Sequence, residues 1–153
     1  MYSKAFSFCY NKDMKVLFPD EIVIQTKNFK VAQDWEVPIA AFFIISTIRK
    51  IRSIGEFTDE EASEFAPLIK KIRKGMEETL SCKDVYIFQN EDSAHGFHLW
   101  MLPRYEWMEP FGRKVESMRP ILEHATKTFT SEEVLKEVRE KVELMRKYLE
   151  APK

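Results

Sequence analysis

The side chains able to do acid–base or nucleophilic chemistry are few: three histidines, two cysteines and a scatter of carboxylates. His95 and His98 stand three apart in Ala94-His95-Gly96-Phe97-His98-Leu99-Trp100. On a helix that spacing would suggest a pair of metal ligands. The flanking residues alternate as a strand does, however, and strand positions three apart point to opposite faces. With no cysteine pair beside them, a zinc site is not expected. His98 offers a different chemistry: an imidazole with one nitrogen's proton held and the other nitrogen free is a nucleophile. It shares a strand face with Trp100 and Leu102, so the plain alternative is a packed core histidine. His124 lies among Ile121, Leu122 and Ala125 on a helical stripe and reads as a partly buried or surface imidazole. Cys9 and Cys82, neither in a CxxC, read as reduced thiols.

The elements that must position His98 can be read from periodicity. Ile22–Thr26 and Phe29–Gln33 are β-favouring runs separated by Lys27-Asn28, a hairpin turn signal. Phe42–Ile48 is a continuous apolar run with β-branched residues, which predicts a strand covered on both faces. Thr58-Asp59-Glu60-Glu61 has the form of a capping box and opens a long amphipathic helix carrying Phe65, Ile69, Ile72, Met76 and Leu80, with Pro67 expected to bend it. Its basic run, Lys70, Lys71, Arg73 and Lys74, is interleaved with glutamates and reads as a solvated face. Strands return at Val85–Gln89 and Phe97–Leu102, around the polar loop 90–96. Two helices are predicted after Phe111. One carries Val115, Met118, Leu122 and Ala125, with Ser117 as its cap. The other opens at a second capping box, Thr130-Ser131-Glu132-Glu133, and carries Val134, Val138, Val142, Met145 and Leu149. Strands, helix, strands and two helices predict an α+β fold with a mainly antiparallel sheet.

Composition narrows the functions. The chain has 153 residues, 44% hydrophobic, 13% aromatic and 32% charged, which suits one domain over 1–153 and excludes collagen-like, mucin-like and disordered classes. Lys and Arg number 24 against 25 Asp and Glu, a net charge of −1 that argues against a nucleic-acid partner. The segment Met1–Ser7 lacks a leader's apolar core, and the apolar run Ile39–Ile45 is too short to span a bilayer. A soluble, cytoplasmic protein without a membrane partner is expected.

His98-Leu99-Trp100-Met101-Leu102-Pro103-Arg104 resembles the signature of the histidine triad (HIT) superfamily of nucleotide hydrolases and transferases. In that pattern three histidines alternate along a strand, followed by apolar residues and often Pro-Arg. Anchoring on Pro103-Arg104 places Gly96 at the first histidine, His98 at the second, which carries covalent catalysis in the family, and Trp100 at the third. Ala32-Gln33-Asp34-Trp35 and Ala40–Ile45 are similar to the family's second and third strands, which puts Asp34 on the aspartate that binds ribose hydroxyls. Arg49–Ile54 followed by Phe57–Glu61 is similar to the basic turn before the family's long helix. Gln89 resembles the Asn or Gln that contacts sugar or phosphate. The resemblance covers residues 9–105; residues 111–150 form a helical extension outside it.

The resemblance implies a HIT-like antiparallel sheet of five strands with one long helix. It also implies a nucleotide phosphohydrolase or nucleotidyl transferase, acting on diadenosine polyphosphates or nucleoside phosphoramidates through a nucleotidyl-His98 intermediate. Asp34 would hold the ribose and Trp35 the base. Gln89 and His95 would contact phosphate, Ser93 would stand in for lost donors, and the Trp100 indole N–H would donate one hydrogen bond. No organic cofactor is implied, and family members commonly pair as homodimers. The departures pull the other way. Gly96 and Trp100 replace two of the three histidines, and Phe42 replaces a fourth that usually supports them. The loop between Gln89 and His98 is short and lacks the family's Gly-Gln pair. Loss of one electrostatic contact at a transferring group typically costs about 10²–10³ in rate. Weakened catalysis, or a non-catalytic nucleotide-binding or interaction protein on the same fold, is therefore the alternative. Orientation of His98 should survive in either case, since residue 96 supplies a backbone carbonyl whether it is His or Gly.

Overall fold

The computed structural model describes residues 16–151, so Cys9, the Met1–Ser7 segment and the first residues of the stretch compared above lie outside the described residues. Strands β1 (Ile22–Gln25), β2 (Phe29–Gln33), β3 (Phe43–Thr47), β4 (Val85–Gln89) and β5 (His98–Pro103) form one sheet in the order β1-β2-β3-β5-β4. Every neighbouring pair is antiparallel. The β1–β2 hairpin closes at Lys27-Asn28, where the Thr26 hydroxyl accepts the backbone N–H groups of Asn28 and Phe29.

Side-chain alternation splits the sheet into two faces. Phe29, Val31, Phe43, Ile45, Leu99 and Met101 point to one face. Helices α1 (Asp59–Leu80) and α3 (Glu132–Glu150) cover it. Phe42 and Leu102 belong to the other face, and helix α2 (Met118–Thr128) packs there through Met118, Ile121, Leu122 and Ala125. The Phe42–Ile45 run is buried on both sides for this reason.

Helix α1 starts as its sequence predicts: Thr58 accepts from the Glu61 N–H and the Glu61 carboxylate takes the Thr58 N–H at 2.8 Å. Glu61 also pairs with Arg49, which ties the turn after β3 to the helix start and holds the Glu61 carboxyl down to about 2. The helix runs unbroken through Pro67. The basic run at 70–74 is largely spent on the fold. Arg73 donates to the carbonyls of Cys82 and Lys83, Lys71 donates to the Leu149 carbonyl, and Lys74 pairs with Glu78.

The C-terminal half departs from the sequence reading in two places. Before α2 lie two 3₁₀ turns, Glu106–Phe111 and Val115–Ser117, and α2 itself begins only at Met118. Ser117 precedes it but spends its hydroxyl on the Lys114 carbonyl instead of capping the helix. At α3 the cap is Ser131, which accepts from the Val134 N–H, so the expected Thr130–Glu133 box does not form. The α3 stripe Val138, Val142, Met145 and Leu149 is buried against α1 and β1, which removes it as a surface for a partner. No helix among the described residues is long and apolar enough to cross a membrane.

Candidate functional site

His98 opens β5, the strand inserted between β3 and β4, and its register partner on β3 is Ser46. Trp100 follows on the same face, two residues along, opposite Ile44 of β3 and Phe88 of β4. The His98 ring stands edge-on to the Trp100 indole, 4.4 Å between centroids and 86° between planes, and Trp100 in turn lies 4.8 Å from Phe88. Only 6% of His98 is exposed. Its Nδ1 lies 2.7 Å from the Gly96 carbonyl oxygen. A carbonyl only accepts, so Nδ1 carries the proton, and in the neutral ring Nε2 holds the lone pair.

Gly96 fills its position for a backbone reason. The Phe97 N–H donates to the Ile51 carbonyl at 2.6 Å, which draws loop 90–97 against the turn after β3. A Cβ at residue 96 would sit 3.1 Å from that same carbonyl oxygen. A side chain there is admitted only if this contact gives way. Ser93 shapes the loop from inside: its hydroxyl accepts the His95 N–H.

The loop also undoes the parity argument that separated the two histidines. Because β5 begins at His98, His95 is not a strand residue, and the chain turns its exposed imidazole back over the site. The His95 and His98 rings lie 6.2 Å apart at 89°. On its other side His95 meets Trp35, 6.0 Å between centroids. Glu36, unremarked in the sequence, completes this edge. Burial raises its carboxyl above the usual range, while a hydrogen bond from the Trp35 side chain and the nearby His95 pull it back. Its only advance signal was a carboxylate directly following Asp34-Trp35.

Asp34 leaves β2 beside Phe42, whose carbonyl accepts the Asp34 N–H. Its Oδ1 accepts the N–H groups of Glu36 and Val37 at 2.9 and 2.7 Å, so it caps the turn between β2 and β3. The side chain is buried, and loss of hydration pushes its pKa up from 3.8 to about 6 despite those two bonds. Trp35, His95, His98 and Trp100 thus belong to one side of the molecule through successive ring contacts, with Asp34 next to Trp35 in the chain. Gln89 does not. It is paired with Leu99, a residue of the helix-covered face, and its amide donates to the Asn90 carbonyl. Phe42 is 1% exposed and packed in the α2-side core. Arg104 also serves the fold: its guanidinium reaches Tyr86, the Met108 carbonyl and Glu109. Among the described residues, no group of three or more His, Cys, Asp or Glu side chains is placed to hold a metal ion.

No protein-family model matches the sequence, and no curated protein matches it. The architecture does match solved structures. A zinc-bound histidine triad family protein from Mycobacterium smegmatis superposes with a TM-score of 0.59 at 16% identity, over 86% of this chain and 84% of that one. A Hit-like protein involved in cell-cycle regulation from Bartonella henselae gives 0.56 at 14%, over 83% and 84%. The fold is that of the histidine triad proteins. A further solved structure, Plasmodium falciparum diadenosine triphosphate hydrolase in complex with cyclomarin A, matches at 0.57 with 16% identity, over 84% of this chain and 76% of that one. These coverages exceed what the first 110 of 153 residues can supply, so the likeness to histidine triad structures extends into the helices after Pro110, beyond the sequence resemblance.

Proposed function

We propose that the chain binds a nucleotide across the His98 face and is a histidine-triad-type nucleotide phosphohydrolase or nucleotidyl transferase. Diadenosine polyphosphates and nucleoside phosphoramidates are its candidate substrates. The observation that carries the reading is the 2.7 Å bond from Nδ1 of His98 to the Gly96 carbonyl, because it holds one ring proton and reserves Nε2 for phosphorus. Asp34 supports it from the sugar side. A carboxylate costs the fold energy where it is buried, and ribose hydroxyls are the donors that would satisfy the oxygen not used by the turn. Trp35 offers a ring to the base, His95 and Ser93 lie in the loop that faces phosphate, and the Trp100 indole N–H replaces one lost donor. Gln89, on the far face, has no part in this site.

A second reading, a nucleotide-binding or interaction protein without turnover, is favoured by the shelter of His98 and by Trp100 and Phe42 standing where polar residues would serve a phosphate. The two separate in one comparison. Wild type and His98→Ala are incubated with diadenosine tetraphosphate and with adenosine phosphoramidate, with binding measured by calorimetry in parallel. Turnover lost in the variant while binding persists is the expected result. Binding without turnover in either protein leaves the second reading, and absence of binding in both contradicts each. A homodimer, as expected from the resemblance, is part of the proposal and is read from the mass in solution.

A further inference from the structure

The strand position at which the resemblance expects a third histidine carries Trp100, whose indole N–H donates a hydrogen bond but is too weak an acid to protonate a departing group. The loop supplies another imidazole. His95 is exposed, its ring lies 6.2 Å from that of His98, and the two planes are at 89°. In an in-line displacement the attacking atom starts about 3–3.5 Å from phosphorus, and the leaving atom is bonded on the far side. Two rings at that separation are in edge contact, so a phosphoryl group attacked by His98 lies in front of the pair and not between them, with the leaving atom turned toward His95. Trp35 packs against the other side of His95 and donates a side-chain hydrogen bond to Glu36, which places a carboxylate beside the His95 imidazole. A carboxylate so placed offers the ring an acceptor that can orient it. The loop itself is held at both ends, by Ser93 accepting the His95 N–H and by the Phe97 N–H donated to Ile51.

We infer that His95 is the general acid and base of this site, with Glu36 as its positioning residue, so that a loop histidine takes over the proton transfer that the strand no longer provides. The inference rests on the preceding reading of His98 as nucleophile. In the first step Nε2 of His98 forms a bond to the α-phosphorus, the bond from phosphorus to the leaving oxygen or nitrogen breaks, and His95 passes its proton to that atom. In the second step neutral His95 takes a proton from water as the water oxygen displaces Nε2. His98 returns as a neutral imidazole and His95 as an imidazolium.

Protonation matters only where the leaving group is poor, and this gives a test that a merely structural role would not pass. Single-turnover rates are measured for the full-length wild type, His95→Gln, His95→Ala and Glu36→Gln. One substrate is adenosine 5′-phosphoramidate, whose nitrogen must be protonated to depart. The other is adenosine 5′-p-nitrophenyl phosphate, whose phenolate departs unaided. With the phosphoramidate, the His95 variants are expected to lose about 10²–10⁴ in rate, and with the nitrophenyl ester less than about tenfold. Glu36→Gln is expected to show the same asymmetry, reduced in size. Equal losses on both substrates, or no loss on either, overturn the role of His95. Wild type that consumes neither substrate overturns this inference together with the nucleophilic role of His98. Turnover of the nitrophenyl ester that depends on His98 but shows no asymmetry in the His95 variants overturns this inference alone.

Discussion

The Asp34 carboxyl is buried, bonded to two turn N–H groups and still pushed up to about 6 from an ordinary 3.8. Since the folded value is the higher one, the native state holds this proton more tightly than the unfolded chain does. The contribution of this group to stability is therefore fully present below 3.8 and is lost as pH rises through about 6. Asp34→Asn keeps the acceptor for Glu36 and Val37 and removes the buried charge. At pH 7 it is expected to melt higher, by on the order of 2 kcal/mol, while losing nucleotide affinity. A variant that is less stable, or that binds AMP as well as wild type, contradicts this account of the residue. Asp34 was legible only through its resemblance, and His98 through both resemblance and strand alternation. The carbonyl of Ile51 that crowds residue 96, and the Trp35–His95–Glu36 edge, were not legible, because a loop's path is set by distant backbone contacts that leave no periodic trace.

Helix α1 carries two positions where side-chain size and backbone shape pull in opposite directions. Gly75 weakens a helix in isolation, yet a Cβ there would lie 2.7 Å from the Tyr148 ring and 2.9 Å from Met145 of α3. Gly75→Ala gains about 1 kcal/mol of helix propensity and loses more to overpacking, typically about 1–3 kcal/mol. A net lowering of the denaturation midpoint is expected, and a rise would show that α3 simply moves aside. Ser81 ends the same helix at φ 57°, exposed, with its own N–H bonded to the Glu77 carbonyl and that of Cys82 to Met76. Glycine adopts this conformation without strain, so Ser81→Gly should stabilise by about 0.5–1 kcal/mol in urea titration. No change or a loss would contradict the strain argument. Strands and long helices were readable here because burial imposes a period on them. The cap of α3 was misread because Thr130 and Ser131 both offer a hydroxyl before Glu132, and the 3₁₀ turns at 106–117 have no period to read.

For the whole molecule, the last helix is part of what the sheet needs in order to fold. Val142, Met145 and Leu149 are buried in the same cluster as β2, β3, β5 and α1, and Val138 of the same helix is buried as well. At about 1.5–3 kcal/mol for each buried side chain, their loss removes on the order of 10 kcal/mol. That is comparable to the total stability of an ordinary domain, about 5–15 kcal/mol. A chain ending at Ser131 is expected to show no cooperative thermal transition; one that melts like the full chain would show the helix to be an appendage. The sequence resemblance stopped before this helix because packing constrains its apolar spacing and leaves its residue identities free. The structural likeness runs further along the chain for the same reason.

The most direct test of the central claim is the side-chain ¹⁵N spectrum of His98, recorded while AMP is added. The account predicts that the neutral form of the ring carries its proton on Nδ1, with the Nε2 resonance moving saturably as nucleotide binds. A ring protonated on Nε2, or one whose nitrogens ignore the nucleotide, would contradict it.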